Sequence, residues 1–230
     1  MIGQAIQPDY RLYLVTDRDL MSTETLEEAV DSACRGGVTL VQLREKHDSH
    51  DELVEHARQV KSITDKYGIG LIVNDDPLAA LEVGAMGVHV GQSDLEAGKV
   101  REIVGPDMIV GVSASNVEQA LKAQDAGADY LGVGAMTFTY TKPDAEVCTI
   151  EELWNIRDAV KIPIVVIGGI NEQTIPHFTG MGVDGYAIVS AIMAAPDIEA
   201  SARRLRNQID FFMAQMGQLE TGSDCPTCFI

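Results

Sequence analysis

The 230-residue sequence has no long hydrophobic run, and this lack excludes several classes of protein. No apolar stretch approaches the roughly 18 residues that a bilayer-spanning helix requires. Residues 1–10 also lack the basic segment followed by a long apolar segment that marks a secretory signal peptide. The sequence therefore predicts a cytoplasmic protein that does not enter the membrane.

Cysteines are also few: Cys34, Cys148, Cys225 and Cys228. Four cysteines scattered over a chain of this length are not typical of a disulfide framework. Cys225 and Cys228 have the CxxC spacing of a redox pair or of half a zinc site, but neither a second CxxC nor a strand–helix pattern accompanies them. We interpret them as part of a flexible C-terminal tail, residues 218–230.

Positive charge is scarce as well, with 17 Lys and Arg residues against 35 Asp and Glu residues and a net charge of -18. A surface of this charge repels nucleic acid and anionic membranes, so we expect neither as a partner. A protein of this composition that binds anionic substrates must concentrate its few cations locally or use a metal ion.

What the chain does contain is a series of eight short apolar runs rich in Val, Ile and Leu, typical of strands buried on both faces. The predicted strands are Arg11–Thr16, Leu40–Glu45, Gly70–Asn74, Gly87–Val90, Met108–Val112, Tyr130–Val133, Ile164–Ile167 and Gly185–Val189. Amphipathic helical patterns lie between them, the last from about Ile198 to Met216. Eight strand–helix units predict an α/β protein with a single (β/α)8 TIM barrel over residues 1–217, and the alternative is a doubly wound open sheet.

Polar residues alternate at the end of the second predicted strand, where Gln42, Arg44 and Lys46 share one side of the pleat. They are expected to line the barrel interior near its mouth. An Arg fork and a Lys point charge are suited to phosphate oxygens. The alternative is a buried ion pair with Glu45 or with a neighbouring strand.

Two carboxylates follow the third and fourth predicted strands, Asp75 and Asp94. Because neighbouring strands bring them together beside Arg44 and Lys46, they are suited to Mg2+, which keeps several waters and bridges to substrate oxygens. The alternative is helix capping, by Asp75 or Asp76 before the third predicted helix and by Ser93 or Asp94 before the fourth.

A hydroxyl, Ser113, follows the fifth predicted strand, and Ser115 or Asn116 is expected to cap the next helix. No histidine stands where it would clearly complete a Ser–His–Asp triad. His89 lies inside the fourth strand, where it is either a functional group or a core residue whose hydrogen bonds are satisfied.

A second group of anion-binding candidates comes from later loops. The long loop after strand six carries Thr139, Thr141 and Lys142, which are suited to a phosphate clamp, with a solvated polar loop as the alternative. Gly169 follows strand seven and Ser190 follows strand eight, the positions where barrels commonly bind phosphate through backbone N–H groups. The sequence thus predicts two anion sites at one end of the barrel.

The order of these motifs resembles the thiamine phosphate synthase family over about residues 11 to 195. The motifs that carry the resemblance are Tyr13–Arg18, Val41–Lys46, Val73–Asp75, Gly87–Asp94, Gly111–Ala114, Thr139–Lys142, Gly168–Ile170 and Val189–Ile192. Each is weak alone, and the full set in sequence is highly specific. The loop Gly134–Thr139 lacks the Pro and the Phe-Pro or Phe-Gly usual in the family, and Asp76 stands where a basic or polar residue is commoner.

The resemblance implies a transferase that joins 4-amino-5-hydroxymethyl-2-methylpyrimidine diphosphate to 4-methyl-5-(2-phosphooxyethyl)thiazole, giving thiamine phosphate and pyrophosphate. Pyrophosphate would leave from a benzylic-type carbon with the help of Mg2+, and the thiazole nitrogen would then attack, so that no general base is needed. The family also suggests a homo-oligomer, often a dimer.

The resemblance further implies a role for each candidate residue. The catalytic residues would be Ser113, beside the reacting carbon, together with Lys142 and Arg44. The implied ligands are Gln42 for the pyrimidine, Arg44, Lys46, Asn74 and Lys142 for the pyrophosphate, Asp75 and Asp94 for one Mg2+, and Thr139, Thr141, Gly169, Val189 and Ser190 for the thiazole phosphate.

Three rival functions remain less favoured. A thiazole tautomerase of the same superfamily would not need a metal–pyrophosphate site, and a non-catalytic sensor of thiamine precursors would not release pyrophosphate. A phosphosugar isomerase would need a clear strand-end carboxylate base with a partner.

Overall fold

The computed structural model describes residues 8–137 and 147–221, with side chains to residue 215, and shows a closed barrel of eight parallel strands. The strands are β1 (Leu12–Val15), β2 (Leu40–Leu43), β3 (Gly70–Asn74), β4 (Gly87–Val90), β5 (Ile109–Ala114), β6 (Tyr130–Val133), β7 (Ile164–Ile167) and β8 (Gly185–Ile188). Each pairs with the next, and β1 pairs with β8, Leu12 opposite Tyr186. The predicted (β/α)8 barrel is confirmed, and the open sheet is excluded.

Helices follow the strands around the outside of the barrel. They are α1 (Leu26–Arg35), α2 (His50–Tyr67), α3 (Pro77–Val83), α4 (Ala97–Val104), α5 (Val117–Asp125), α6 (Ile150–Ala159), α7 (Ser190–Met193) and α8 (Ile198–Thr221), with a short 3-10 helix, Ile175–Phe178, after β7. The last helix continues to Thr221, beyond the predicted end at Met216. Residues 222–230, with Cys225 and Cys228, lie outside the described residues.

The strands separate two apolar layers, as the period of two along each strand requires. One layer lies between strands and helices and includes Val41 and Leu43. The other fills the barrel interior and includes Tyr13, Leu40 and Tyr130. On β2, Gln42 therefore faces the interior, as its alternation with Val41 and Leu43 predicted.

The fifth strand is longer than predicted, ending at Ala114 instead of Val112. The extension exists because Ser113 and Ala114 pair with Gly132 and Val133 of β6. Ser113 is therefore held within the sheet, which limits its movement more than a loop position would.

The helix starts decide which Asp and Ser residues are caps. Asp76 is the N-cap of α3, where its Oδ1 accepts hydrogen bonds from the backbone N–H groups of Leu78 and Ala79, both at 2.9 Å. Asn116 caps α5, as one of the two predicted candidates. Helix α4 begins after Glu96 without a side-chain cap, so the capping interpretation of Asp94 is wrong.

Two of the four cysteines, Cys34 and Cys148, are buried free thiols, as expected for a chain without a disulfide framework. Burial raises the pKa of Cys34 to about 12 and that of Cys148 to about 11. Within the described residues, no helix is long and apolar enough to cross a membrane.

Replacing Asp76 by Ala should lower the free energy of unfolding by about 1 kcal/mol, because two N–H groups of α3 lose their acceptor. The loss includes the Asp76 hydrogen bond to His50 Nδ1, at 2.7 Å. Thermal unfolding should show a midpoint lower by roughly 2–4 °C. Glu102→Ala, an exposed change on α4, is the control; an equal shift in both variants would contradict the capping role.

Candidate active site

A cavity of about 780 Å³ opens at the C-terminal end of the strands. Polar side chains from several strand ends converge on it, which is where barrel enzymes place their active sites. The predicted site residues that line it are Gln42, Arg44, Lys46, Asn74, Asp75, Asp94, Ser113 and Val189. The sequence analysis grouped residues from five strand ends into one site, and the structure places these residues in one cavity.

The remaining predicted residues lie elsewhere or outside the described part. Gly169 and Ser190 are not among the lining residues, although Ser190 directly follows Val189 and is exposed at the start of α7. Thr139, Thr141 and Lys142 lie outside the described residues. The clamp predicted for the loop after β6 therefore stays a prediction.

Two carboxylates face each other at the mouth of this cavity. Asp75 donates its backbone N–H to the carbonyl of His89 at 2.8 Å, which extends the pairing of β3 with β4. Its positive φ of 67° and the hydrogen bond from the Asp76 N–H to the Asn74 carbonyl, at 2.9 Å, show that the chain then turns sharply. Asp94 accepts the backbone N–H of Gly91 at 2.8 Å, which turns its side chain back toward the end of β4. The two side chains are close enough to share a hydrogen bond.

Their proximity perturbs the titration of Asp75. The residue is exposed in the mouth, yet the surrounding protein atoms and then the Asp94 carboxylate raise its pKa from 3.8 to about 6. The Arg44 guanidinium and an Asn74 hydrogen bond act in the opposite direction. Two like charges held together in this way are a site whose repulsion a cation relieves.

Asp75 and Asp94 are the two carboxylates of the mouth that could hold Mg2+. Among the described residues, no group of three or more His, Cys, Asp or Glu side chains could hold a metal ion. Asp75 and Asp94 would supply two oxygens, leaving the other positions to water and substrate. Mg2+ is commonly bound in this way, by one or two carboxylates and phosphate oxygens.

The cations of the mouth come from β2 and the residues that follow it. Arg44 is half-buried, its backbone N–H donating to Thr16 Oγ1 at 3.0 Å, and Lys46 is exposed. Glu45 pairs instead with Arg18, Nε to Oε2 at 3.3 Å, and within the part of the chain that the structure describes no ion pair joins Glu45 to Arg44 or Lys46. Burial raises the pKa of Glu45.

A continuous row of hydrogen bonds crosses the floor of the cavity. Gln42 Nε2 donates to the Tyr13 hydroxyl at 2.9 Å, and the Tyr13 and Tyr130 hydroxyls lie 2.9 Å apart. The Tyr130 hydroxyl lies 2.9 Å from His89 Nδ1, and His89 Nε2 lies 3.0 Å from Ser113 Oγ. His89 is therefore a buried residue with hydrogen bonds at both ring nitrogens.

Tyr13 and Tyr130 were missed by the sequence analysis, because a tyrosine inside an apolar strand is expected to contribute to packing alone. Two glycines within the strands indicated that large side chains lie close to the backbone there. A Cβ on Gly111 would collide with the Tyr130 ring, and one on Gly132 would lie 3.1 Å from His89 Cε1. Glycine within a strand often marks such a close approach.

Backbone geometry explains the glycines that follow β7. Gly168 and Gly169 have φ values of 94° and 70°, which glycine adopts without strain. Thr137 Oγ1 occupies the position that a Cβ on Gly169 would take. Glycine is thus required at position 169 by the close approach of Thr137, and the phosphate contact predicted for Gly169 stays a prediction.

A closed (β/α)8 barrel with a carboxylate pair, a guanidinium and a hydroxyl at its C-terminal mouth defines a barrel enzyme suited to an anionic substrate. The family model for thiamine monophosphate synthase matches residues 12–192. The chain belongs to this family, so the predicted family, the predicted enzyme and its class, a transferase of thiamine biosynthesis, are confirmed.

Individual relatives agree. The chain is 58% identical over 202 residues to the thiamine-phosphate synthase of Clostridium botulinum (strain Eklund 17B / Type B), covering 88% of this chain and 95% of the relative. A thiamine-phosphate synthase of Clostridium beijerinckii is 58% identical over 200 residues, covering 87% and 96%.

Solved structures of similar proteins have the same barrel fold. A thiamine phosphate pyrophosphorylase from Pyrococcus furiosus superposes with a TM-score of 0.83 at 36% identity, covering 89% of this chain and 98% of that one. A 3-hexulose-6-phosphate synthase, at 20% identity and a TM-score of 0.64, covers 86% and 99% and shares the fold alone.

Replacing Asp75 by Asn should stabilise the metal-free protein above pH 6. Because the folded state holds the Asp75 proton more tightly than the unfolded chain does, its stabilising effect is present below about pH 4 and is lost as pH rises through about 6. The gain in the variant should be about 1 kcal/mol at pH 7.5, after allowance for screening at an exposed site, and should shrink at pH 4.5.

Thermal unfolding with a chelator measures this effect, and added Mg2+ should raise the midpoint of the unmodified protein but not that of Asp75→Asn. Asp107→Asn, in the turn before β5, is the control. A stabilisation independent of pH, or a Mg2+ response retained in the variant, would contradict the role assigned to the carboxylate pair.

Proposed function

We propose that this enzyme condenses 4-amino-5-hydroxymethyl-2-methylpyrimidine diphosphate with 4-methyl-5-(2-phosphooxyethyl)thiazole to give thiamine phosphate and pyrophosphate. The observation that carries the proposal is the Asp75–Asp94 pair beside Arg44 at the mouth of a cavity whose floor bears Gln42 and Ser113. A diphosphate is suited to the charged mouth, and a small polar heterocycle to the floor.

The floor would hold the pyrimidine. Gln42 is buried and directed inward from β2, and Ser113 is held within β5 by pairing with β6. Both side chains are also restrained by the hydrogen bonds of the floor. Groups that are fixed before the substrate arrives orient it at little further entropic cost.

The mouth would hold the leaving group. Arg44, Lys46, Asn74 and Lys142 are assigned to the pyrophosphate oxygens, and Asp75 and Asp94 are assigned to Mg2+. The bound Mg2+ would neutralise negative charge on the departing pyrophosphate. Arg44 supplies two parallel N–H donors, which match a phosphate better than a point charge does.

The reaction would proceed by loss of pyrophosphate before the thiazole nitrogen attacks. The aminopyrimidine itself can stabilise the cation that forms at the benzylic-type carbon. The protein then needs to bind the leaving group and to align the nucleophile, for which Thr139, Thr141, Gly169, Val189 and Ser190 are assigned to the thiazole phosphate. The thiazole nitrogen carries no proton, so no general base is required.

The rival functions explain less of the site. A thiazole tautomerase has no use for two facing carboxylates beside a guanidinium, and a sensor would not need groups placed to stabilise a leaving group. The relatives that carry the identification are thiamine-phosphate synthases and give no support to either rival.

Three further properties belong to the proposal. The net charge of -18 favours an enzyme that binds neither nucleic acid nor anionic membrane, and a cytoplasmic location is proposed from the biosynthetic family alone. One Mg2+ per subunit follows from the single carboxylate pair assigned to it. A homodimer is proposed from the family alone.

The direct test is pyrophosphate release by the purified protein, with the pyrimidine diphosphate, the thiazole phosphate or Mg2+ omitted in turn. We expect release that requires both organic substrates and falls sharply without Mg2+. Release without the thiazole phosphate would indicate a hydrolase, and no release from a folded protein would contradict the synthase.

Arg44→Ala and Lys142→Ala should each lower kcat/KM by about 100-fold, because each removes a charge that stabilises the leaving pyrophosphate in the transition state. Initial-rate assays of pyrophosphate release measure the effect, and circular dichroism checks the fold. Lys99→Ala, an exposed change on α4, is the matched control. Near-normal turnover in Lys142→Ala would remove the loop after β6 from the proposed mechanism.

A further inference from the structure

The hydrogen bonds on the cavity floor join the two residues assigned to the pyrimidine. Gln42 lies at one end and Ser113 at the other, with the Tyr13 hydroxyl, the Tyr130 hydroxyl and the His89 ring between them. These side chains come from β2, β1, β6, β4 and β5, so the chain of bonds crosses the whole interior of the barrel. We call it the floor chain.

Each hydroxyl in the floor chain can donate only one hydrogen bond, and this limit orders the protons. Gln42 Nε2 donates to Tyr13, and a buried hydroxyl hydrogen is costly to leave without an acceptor. The order that gives each hydrogen an acceptor directs the Tyr13 hydrogen to Tyr130 and the Tyr130 hydrogen to His89 Nδ1. A neutral His89 that accepts at Nδ1 carries its proton on Nε2 and donates it to Ser113 Oγ. Ser113 then has its own hydrogen left to donate into the cavity.

Burial preserves this order. Tyr13 and Tyr130 are 1% and 0% exposed, so water does not compete for their hydroxyls. Burial raises the pKa of both phenols, which therefore stay protonated and able to donate. The close contact of Gly111 with the Tyr130 ring and of Gly132 with His89 holds both rings in place.

The opposite order would place Gln42 Oε1 on the Tyr13 hydroxyl and would turn Ser113 into a donor to His89. Ser113 would then present only lone pairs to the cavity. The cavity is assigned a ligand with a diphosphate, which is rich in acceptor oxygens, so an outward hydrogen on Ser113 is the favourable arrangement. The ordered state also leaves Gln42 Oε1 available as an acceptor.

We propose that Tyr13, Tyr130 and His89 are positioning residues, and that the floor chain fixes Gln42 as an acceptor and Ser113 as a donor toward the substrate. The site therefore selects a heterocycle that presents an amino N–H to Gln42 and an acceptor to Ser113, which is the chemistry of a 4-aminopyrimidine. A 4-oxo analogue presents an acceptor to an acceptor and is rejected. This inference rests on the proposed function.

The test compares binding of the pyrimidine diphosphate and of its 4-oxo analogue, measured by calorimetry with Mg2+ and without the thiazole phosphate. Tyr130→Phe removes one hydroxyl and keeps the ring, which frees the Gln42 amide to rotate. The preference for the amino compound should fall by about tenfold, the value of one hydrogen bond. Tyr13→Phe should lower the preference by a similar factor, and it replaces Tyr130→Phe in the test if that variant does not fold.

Tyr186→Phe is the matched control, because Tyr186 is a buried tyrosine in the layer between strands and helices. Its preference should equal that of the unmodified protein. An unchanged preference in folded Tyr130→Phe and Tyr13→Phe, or an equal loss in Tyr186→Phe, would overturn the proposal.

A second measurement does not depend on the substrate. Nitrogen-15 NMR of the ligand-free protein should show His89 neutral, with its proton on Nε2, and Tyr130→Phe should convert it to a mixture of tautomers. A proton on Nδ1 in the unmodified protein would overturn the ordered chain. If the ligand-free signature is as expected but neither pyrimidine binds, the proposed function has failed, and with it the selectivity that rests on it.

Discussion

Closure of the barrel by the β1–β8 pair is the constraint on which the site depends. Because all eight strands are parallel and each pairs with its neighbours, their carboxyl ends meet at one rim. The pairing of the strands alone therefore brings residues from separate parts of the sequence into contact. Asn74 lies opposite His89 and Ser113 opposite Gly132 in the pairing of the strands. The chemistry of the mouth is a consequence of this pairing.

The interior of the barrel combines two environments along its axis. Near the amino ends of the strands it is filled by apolar side chains such as Leu40 and Ile109. Toward the mouth the interior becomes polar, first through hydroxyls and a ring nitrogen, then through carboxylates and a guanidinium. A heterocycle joined to a diphosphate has the same order of polarity. The polarity of the barrel interior, from its apolar base to its charged mouth, therefore matches the polarity of a substrate of this family, from heterocycle to diphosphate.

Much of this arrangement was accessible from the sequence, for identifiable reasons. Doubly buried strands and short helix-capping segments leave local patterns, so the eight strands were located within a few residues. The facing of Asp75 and Asp94 followed from the adjacency of β3 and β4. The hydroxyls of Tyr13 and Tyr130 could not be predicted, because their partners depend on how five strands orient side chains into one space. Asp76 appeared unusual in sequence and proved to be a helix cap.

The tight fit of Gly111 against the Tyr130 ring has a consequence for how this sequence can vary. A larger residue at position 111 is compatible with the fold only if the ring at position 130 is reduced or moved. That change would in turn interrupt the contacts of His89. Substitutions at these three positions should therefore show strong pairwise epistasis, and natural variation among relatives should replace them together or leave all three alone.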